Sequence, residues 1–537
     1  MNSKKIFISL LVLLVISACD DKLEVTNPNV QTTQDYWKTE EQIAEAVVGI
    51  YNTFLTSEYY GRMIQSYTDS RSDDTFGDSG WLLYPQVSSF IVLPSEGNLG
   101  GVWGNLYRMV YRANQVLDKI DDVAFTDQNY KNRLKGQALF LRSFSYWHLI
   151  NLWQKIPLIL TLPKSPEDYY PSQATREQVW TQLETDFALC QQYLPKTYVG
   201  ITGPDAGQKG RATWGAAAGM LAKCYMQQGK IPEAKIKLKE IIDENIYSLV
   251  PNYADNVTFS NENNSESLFE IQFGIFGTAE NWAGNPLANW RQATGINYNY
   301  GISNFTGWED FECTKWFNDQ FYKERCVDGK LDPRLYYSVV YNEPEYDTPL
   351  YDNDEPYNRR NKIFGVNPWT DIPNFDGSRY YIAKWTYARI PGYTQESGGV
   401  RLNSEINQRV LRYADILLLY AECLNETSAA PTSECYDYIQ MVRDRVNLPD
   451  LETVKPNMTK EQMREQIAHE RCLELGIEGV RWYDIMRWGW LDDPDMLEEL
   501  KLRDPRDFPS FTSTHRYLPI YQGELDVNKN LVQTDGY

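Results

Sequence analysis

The stretch 213-TWGAAAGMLAKCYMQQGKIPEAKIKLKEIID-243 decides the fold class. Ala222, Tyr225, Gly229, Ala234, Leu238 and Ile241 fall at the spacings of a tetratricopeptide helix pair, with Gly229 at the turn and Pro232 opening the second helix. The small residues let the two helices approach closely. Such a unit buries its apolar face only by stacking on neighbours, so one pair predicts others. A second is read from Val410 to Val446, with Ala414, Leu417, Leu418 and Ala421 on its first helix and Tyr436, Ile439 and Val442 on its second.

Further helices announce their starts by capping boxes, in which a Thr side chain accepts from a backbone N–H and a Gln three residues on reaches back. Thr39 with Gln42, Thr175 with Gln178 and Thr459 with Gln462 are such pairs. After Thr39, the residues Ile43, Val47, Ile50, Tyr51 and Phe54 recur at helical spacing, as do Leu106, Val110, Ala113, Val116, Leu117 and Ile120 between Leu99 and Ile120. A long helix is expected from about Asn132 to Leu152.

From about Asn256 to Gly307, and again from Tyr341 to Gly399, Gly, Asn, Asp, Pro, Tyr and Trp replace these stripes, apart from strand-like pieces such as Ser267 to Phe273. Aromatics make up 14% of the 537 residues, which argues against disorder in these loops and for a binding role. The fold class is therefore mainly α: a tetratricopeptide-like helix-pair scaffold over about 35–250 and 405–490, long aromatic-rich loops over about 256–400, and a few short strands.

The N-terminus carries Lys4 and Lys5, an apolar run from Ile6 to Ile16, and then Ser17-Ala18-Cys19. The run is too short to span a bilayer as a mature helix and reads as a signal peptide over 1–18. The small residues before Cys19 resemble the lipobox of bacterial lipoproteins, so Cys19 is expected to become the lipidated first residue of a body spanning 19–537. Asp20 and Asp21 resemble a signal for display on the outer face of the outer membrane. Formal net charge is −21, or −23 once Lys4 and Lys5 are removed, which argues against nucleic acid and against a polybasic hold on lipid headgroups.

Seven cysteines remain after Cys19, and most fall on helical patterns as small buried hydrophobes; Cys313 and Cys326 alone suggest a pair. Three histidines and no CxxC spacing leave no basis for a metal or redox centre, and no cofactor is expected. Asp352 to Glu355 lacks the Gly and distal Glu of an EF-hand loop and reads as a solvated acidic turn.

Four segments resemble the SusD/RagB-like outer-membrane nutrient-binding lipoproteins. They are Arg133 to Leu152 followed by Ile156-Pro157-Leu158; Arg211-Ala212-Thr213 leading into the Ala-rich helix; Val410 to Glu422 with His469 to Leu475, Glu478 to Asp484 and Arg487-Trp488-Gly489; and Leu518-Pro519-Ile520 with the ending Gly536-Tyr537. The resemblance implies a non-catalytic surface lipoprotein that captures an oligosaccharide or similar nutrient and delivers it to a SusC-like TonB-dependent transporter. Some members of the family take peptides or other nutrients, and one sequence does not name the cargo.

Read from the residues alone, Arg412, Asp415 and Glu422 punctuate an apolar helix and call for partners among Arg471, Glu474, Arg481 and Asp484. A glycoside hydrolase would instead use Asp415 and Glu422 as its carboxylate pair. Seven helical residues separate them by about 10 Å, beyond the retaining distance of about 5–5.5 Å. A glycan site needs an aromatic platform edged by polar groups. The stretch Asn281 to Trp308 offers Trp282, Asn285, Trp290, Arg291, Tyr298 and Tyr300; Asp73 to Tyr84 offers Asp73, Asp74, Asp78, Trp81 and Tyr84. Trp369 and Tyr380 are weaker candidates, while Trp308 and Trp316 flank a helix start and read as packing residues.

Overall fold

The computed structural model describes residues 36–274, 293–303, 307–342, 376–389 and 404–537. Its scaffold is a succession of helices, each packed on the next except the last, which returns to α7: α1 (Glu40–Tyr51), α2 (Gly97–Lys119), α3 (Gln128–Trp153), α4 (Arg176–Tyr193), α5 (Trp214–Gln227), α6 (Ile231–Asp243), α7 (Tyr413–Thr427), α8 (Ser433–Asp444) and α9 (Lys460–Leu475). All three capping boxes form, at the starts of α1, α4 and α9. The α5–α6 pair turns at Gly229, whose φ of 70° suits a residue without Cβ. Small residues in α5 matter where expected: a Cβ on Gly219 would fall 2.4 Å from Leu411, and one on Gly215 would fall 2.2 Å from the Tyr247 hydroxyl.

Helix α3 begins earlier than Asn132, because the Asp127 side chain accepts from the Asn129 N–H and caps it at Gln128. From Gly136 to Trp153 it is buried on every side, so its polar groups need internal partners. Arg142 pairs with Asp186 at 2.7 Å, Ser145 donates to the Leu106 carbonyl, and His148 lies between the Tyr60 and Tyr483 hydroxyls at 3.2 and 3.0 Å. The Leu518-Pro519-Ile520 segment closes over this helix, Trp153 donating to the Pro519 carbonyl at 2.9 Å.

Helix α6 packs directly on α7, so residues 244–412 form an excursion from a continuous helical stack. Two antiparallel strands, β2 (Ser267–Ile271) and β6 (Gln408–Arg412), pair Ser267 with Arg412 and close its neck. Val410 is therefore extended and the helix starts at Tyr413, a correction to the reading that began the helix at Val410. The excursion also supplies three of the four strands of a second antiparallel sheet, ordered β1 (Thr75–Gly77), β3 (Phe311–Cys313), β5 (Tyr381–Ile382), β4 (Val339–Val340).

The C-terminal motif is a buried ion network. Arg412 reaches Glu266 at 2.8 Å, Glu478 at 2.9 Å and Glu474; Arg471 bridges Asp415 and Asp484, each at 2.7 Å. Glu422 pairs with Arg487 rather than with the arginines anticipated, and Arg481 reaches across the chain to Asp73 at 2.6 Å. Cys313 and Cys326 are both free buried thiols. Cys313 belongs to the main core, whereas Cys326 lies in a separate cluster with Val446 and Leu448, so the suggested pairing is not made. Among the described residues, no helix is long and apolar enough to cross a membrane.

Candidate functional site

The register of the four-stranded sheet brings distant loops to one end. Gly77 pairs with Phe311, Glu312 with Tyr381, and Tyr381 with Val340. The residues after β1 (Asp78 to Trp81) and before β3 (Trp308 to Asp310) consequently meet at one end, whereas those before β5 (Arg379, Tyr380) and after β4 (Tyr341) start from the other, from which the Arg379 side chain reaches back to Asp78, Glu309 and Glu312.

Three consecutive N–H groups pin the middle of this end. Trp308 donates to the Tyr298 carbonyl at 2.7 Å, Glu309 to Gly301 at 2.8 Å and Asp310 to Asn299 at 2.8 Å. A Cβ at Gly307 would lie 2.3 Å from the Tyr298 oxygen, so this close approach requires glycine. Glu309 holds a φ of 61°, a strained value for a residue with a side chain and one that recurs at ligand sites.

Arg62 organises the aromatic groups. Its guanidinium lies 4.6 Å from the Trp81 ring centroid and 5.0 Å from that of Trp308, its Nε donates to Asn299 Oδ1 at 2.9 Å, and it pairs with Asp310 at 3.5 Å. Trp308 rests on Tyr298 with centroids 4.7 Å apart and keeps 41% of its surface exposed. Trp81, half-buried, meets Tyr84 edge-on at 4.9 Å, and its backbone N–H donates to Ser79 Oγ at 3.0 Å. Beyond them Tyr341 and Tyr380 stack at 4.4 Å, both half-buried. Arg379 binds Asp78 at 2.6 Å together with Glu309 and Glu312. Burial pushes the Glu309 and Asp310 carboxyls up from their ordinary range, against the pull of Arg379 on the first and of Ser79 and Arg62 on the second.

Of the anticipated residues, Trp81, Tyr84 and Tyr298 come together here. Trp282, Asn285, Trp290 and Arg291 lie outside the described residues, as do Cys19, Trp369 and Asp352 to Glu355. Two expectations are corrected. Tyr84 is fully buried between Trp81 and Phe311, its hydroxyl accepting from Asn299, and Tyr300 turns inward to donate to Asp69 at 2.9 Å, so both form the floor and neither offers a contact face. Asp73 and Asp74 are likewise interior: Asp73 is held by Arg481 and Arg503, and Asp74 accepts from the Ile477 N–H at 3.0 Å. Trp308, expected to pack, does rest on Tyr298 and Arg62 and keeps 41% of its surface exposed. Arg62, Glu309, Asp310, Arg379 and Tyr341 were not anticipated; only the polar run around Trp308 hinted at exposure.

The carboxylate pair considered for hydrolysis is placed elsewhere and engaged. Asp415 holds Lys223 at 2.8 Å and Arg471 at 2.7 Å, which outweigh burial and keep its carboxyl below the usual range, while Glu422 accepts from Arg487 and from Trp488 Nε1 at 3.0 Å. An interior cavity beside His148 and Tyr483 measures about 40 Å³, room for a water and not for a sugar.

Comparison with known proteins gives a consistent picture. The family described as "SusD family" matches residues 205–537, and that described as "Starch-binding associating with outer membrane" matches 21–226. A SusD-like protein of Formosa agariphila is 25% identical, the alignment covering 100% of this chain and 99% of that one. A solved SusD superfamily structure from Bacteroides vulgatus superposes with a TM-score of 0.76 at 25% identity, covering 94% of this chain and 100% of the other. A structure described as a laminarin binding SusD-like protein gives 0.70 at 26% identity, covering 93% and 100%.

Proposed function

Because the chain belongs to the SusD family, we propose that it is a non-catalytic carbohydrate-binding protein of the outer membrane that captures an oligosaccharide and passes it to a SusC-like TonB-dependent transporter. The observation that carries this reading is the pair of tryptophans flanking Arg62 at the end of the four-stranded sheet, with Trp308 keeping 41% of its surface exposed. Sugar rings present flat C–H faces edged by hydroxyls, and an indole beside fixed carboxylates and guanidinium groups matches both features. The similarity to a laminarin binder supports a glycan as cargo. Cys19 supplies the lipid tether, and the acidic Asp20-Asp21 pair favours display on the extracellular side. We further propose that Trp282, Asn285, Trp290 and Arg291 contribute to ligand binding. The carboxylates at this end are tied to arginine, which supports binding over hydrolysis.

The test is a panel of polysaccharides run in native affinity gels against the purified protein, with reducing-end release measured in parallel. Retardation by a glycan without release of reducing ends is expected. Turnover, or retardation by none of the panel, would overturn the reading.

A further inference from the structure

Three carboxyl groups are buried within six residues just before β1, and only one of them meets a cation. Asp73 is bound by Arg481 through both oxygens, at 2.6 and 2.8 Å, and by Arg503 at 3.0 Å. Asp69 accepts from the Gly479 N–H at 2.6 Å through one oxygen and from the Tyr300 hydroxyl at 2.9 Å through the other. Asp74 accepts from the Ile477 N–H at 3.0 Å through Oδ2, and its Oδ1 meets the Ser72 hydroxyl. Among the described residues, neither Asp69 nor Asp74 forms an ion pair. The cations that face them are Arg481, paired with Asp73, and Lys384, paired with Glu478 at 3.0 Å. The remaining titratable groups around them, the Tyr60, Tyr300 and Tyr483 hydroxyls and the Cys313 and Cys472 thiols, are pushed up by burial and bring no positive charge. The backbone of this segment also holds β3 in place, Thr314 donating its N–H to the Asp74 carbonyl at 2.9 Å and its hydroxyl to that of Asp73 at 2.7 Å.

A count of protons decides between the two unpaired carboxyls. Ser72 Oγ lies against the Asp69 carbonyl at 2.5 Å and against Asp74 Oδ1, and a serine hydroxyl has one proton to donate. The carbonyl has none. With the Ser72 proton on the carbonyl, the contact to Asp74 needs a proton from the carboxyl itself; an ionised Asp74 would leave two bare oxygens face to face, beside a second buried charge on Asp69. Burial raises both carboxyls from their ordinary range, the Asp74 charge adding to the effect at Asp69 and the Asp73 charge to that at Asp74. We propose that Asp74 is a neutral carboxylic acid in the folded protein at pH 7, donating its proton to Ser72 while Asp69 stays ionised, so that the junction between the segment before β1 and the 477–479 turn is held by a proton and weakens as pH rises.

Asp74→Asn is the test, because asparagine repeats the pattern of the protonated acid, its amide donating to Ser72 and its carbonyl accepting from Ile477. The unfolded chain releases the Asp74 proton near pH 4 and the folded chain keeps it. In urea titrations the unfolding constant of the wild type should therefore rise about tenfold per pH unit relative to that of the variant, or about a hundredfold between pH 5 and pH 7. The infrared spectrum of the wild type in heavy water at pH 7 should contain a carbonyl band of a protonated carboxyl that Asp74→Asn lacks. A ratio of unfolding constants that does not change with pH, or a carboxyl band untouched by Asp74→Asn, overturns the proposal. An Asp74→Asn chain that fails to fold overturns it too, since a neutral side chain with the same donors and acceptors would then not replace the native one. Both effects appearing with Asp69→Asn and neither with Asp74→Asn would put the proton on Asp69 and equally refute the assignment.

Discussion

Replacing Trp308 by Ala removes a partly exposed indole at the sheet end, and its cost can be worked from the geometry. Trp308 keeps 41% of its surface exposed, about 100 Å² for a side chain of about 250 Å². At about 25 cal/mol per Å² of apolar area removed from water, a sugar ring covering half to all of that face contributes about 1.2–2.5 kcal/mol, or roughly eight- to seventyfold in Kd. The fold loses less. What remains of Trp308 packs on Tyr298 at 4.7 Å and beside Arg62 at 5.0 Å, contacts worth about 0.5–1.5 kcal/mol each, so the Tm should fall by a few degrees only. Calorimetric titration of the wild type and Trp308→Ala with laminarin, or with whichever panel glycan binds more tightly, reads the first number; a melting curve by circular dichroism reads the second. Trp308→Phe should recover part of the affinity, since a smaller ring can still stack. A folded Trp308→Ala variant that retains wild-type affinity for every glycan bound by the wild type would refute the placement of the platform.

Three further outcomes follow from the rest of the molecule. Asp415→Asn leaves Arg471 and Lys223 facing a neutral amide in the core, and a loss of about 3–5 kcal/mol in urea unfolding is expected; a loss under about 1 kcal/mol would show that the network tolerates a missing charge. Burial holds His148 at a pKa of about 3, below the unfolded value near 6.5, so its contribution is fully present above about pH 6.5 and is lost as pH falls, at up to about 1.4 kcal/mol per unit. Asp504 and Glu262, pushed up by burial to about 7, act oppositely, favouring the fold less as pH rises from about 4. The difference between the wild type and His148→Gln therefore isolates the histidine. It should shrink by about 2 kcal/mol from pH 6.5 to pH 5, and a pH-independent difference would contradict the burial argument. Cys19→Ala should move the protein from the membrane fraction to the soluble fraction without changing glycan affinity; retention in membranes would remove Cys19 as the anchor.

How much of this structure the sequence disclosed depends on how local the governing physics is. Capping at Thr39, Thr175 and Thr459 is settled within four residues, and each box forms. The α5–α6 pair was equally legible, because its stripe, turn glycine and Pro232 all lie in one stretch. Val410 misled for the complementary reason: its apolar spacing continues that of α7, yet residues 408–412 pair with a strand about 140 positions earlier, and nothing local announces the partner. The four-stranded sheet was invisible on both counts, having strands of two or three residues and only nonlocal pairings.

The same distinction separates the residues of the ion network from those of the platform. A charge in the core obliges the chain to supply a partner, since leaving it unpaired costs several kcal/mol. Arg412 and Asp415 could thus be expected to find partners in the set that held Glu474 and Arg471, and Glu422, whose arginine lies outside that set, was still correctly expected to have one. An exposed indole carries no such obligation. Whether Trp308 packs or presents its face is decided by Arg62, which lies 237 positions from the Asn299 that anchors it, and by three backbone bonds to residues 298–301. The structural motif is therefore readable because its partners are inside the chain, whereas the residues of the proposed platform are hard to read because no buried charge obliges the chain to supply them with a partner.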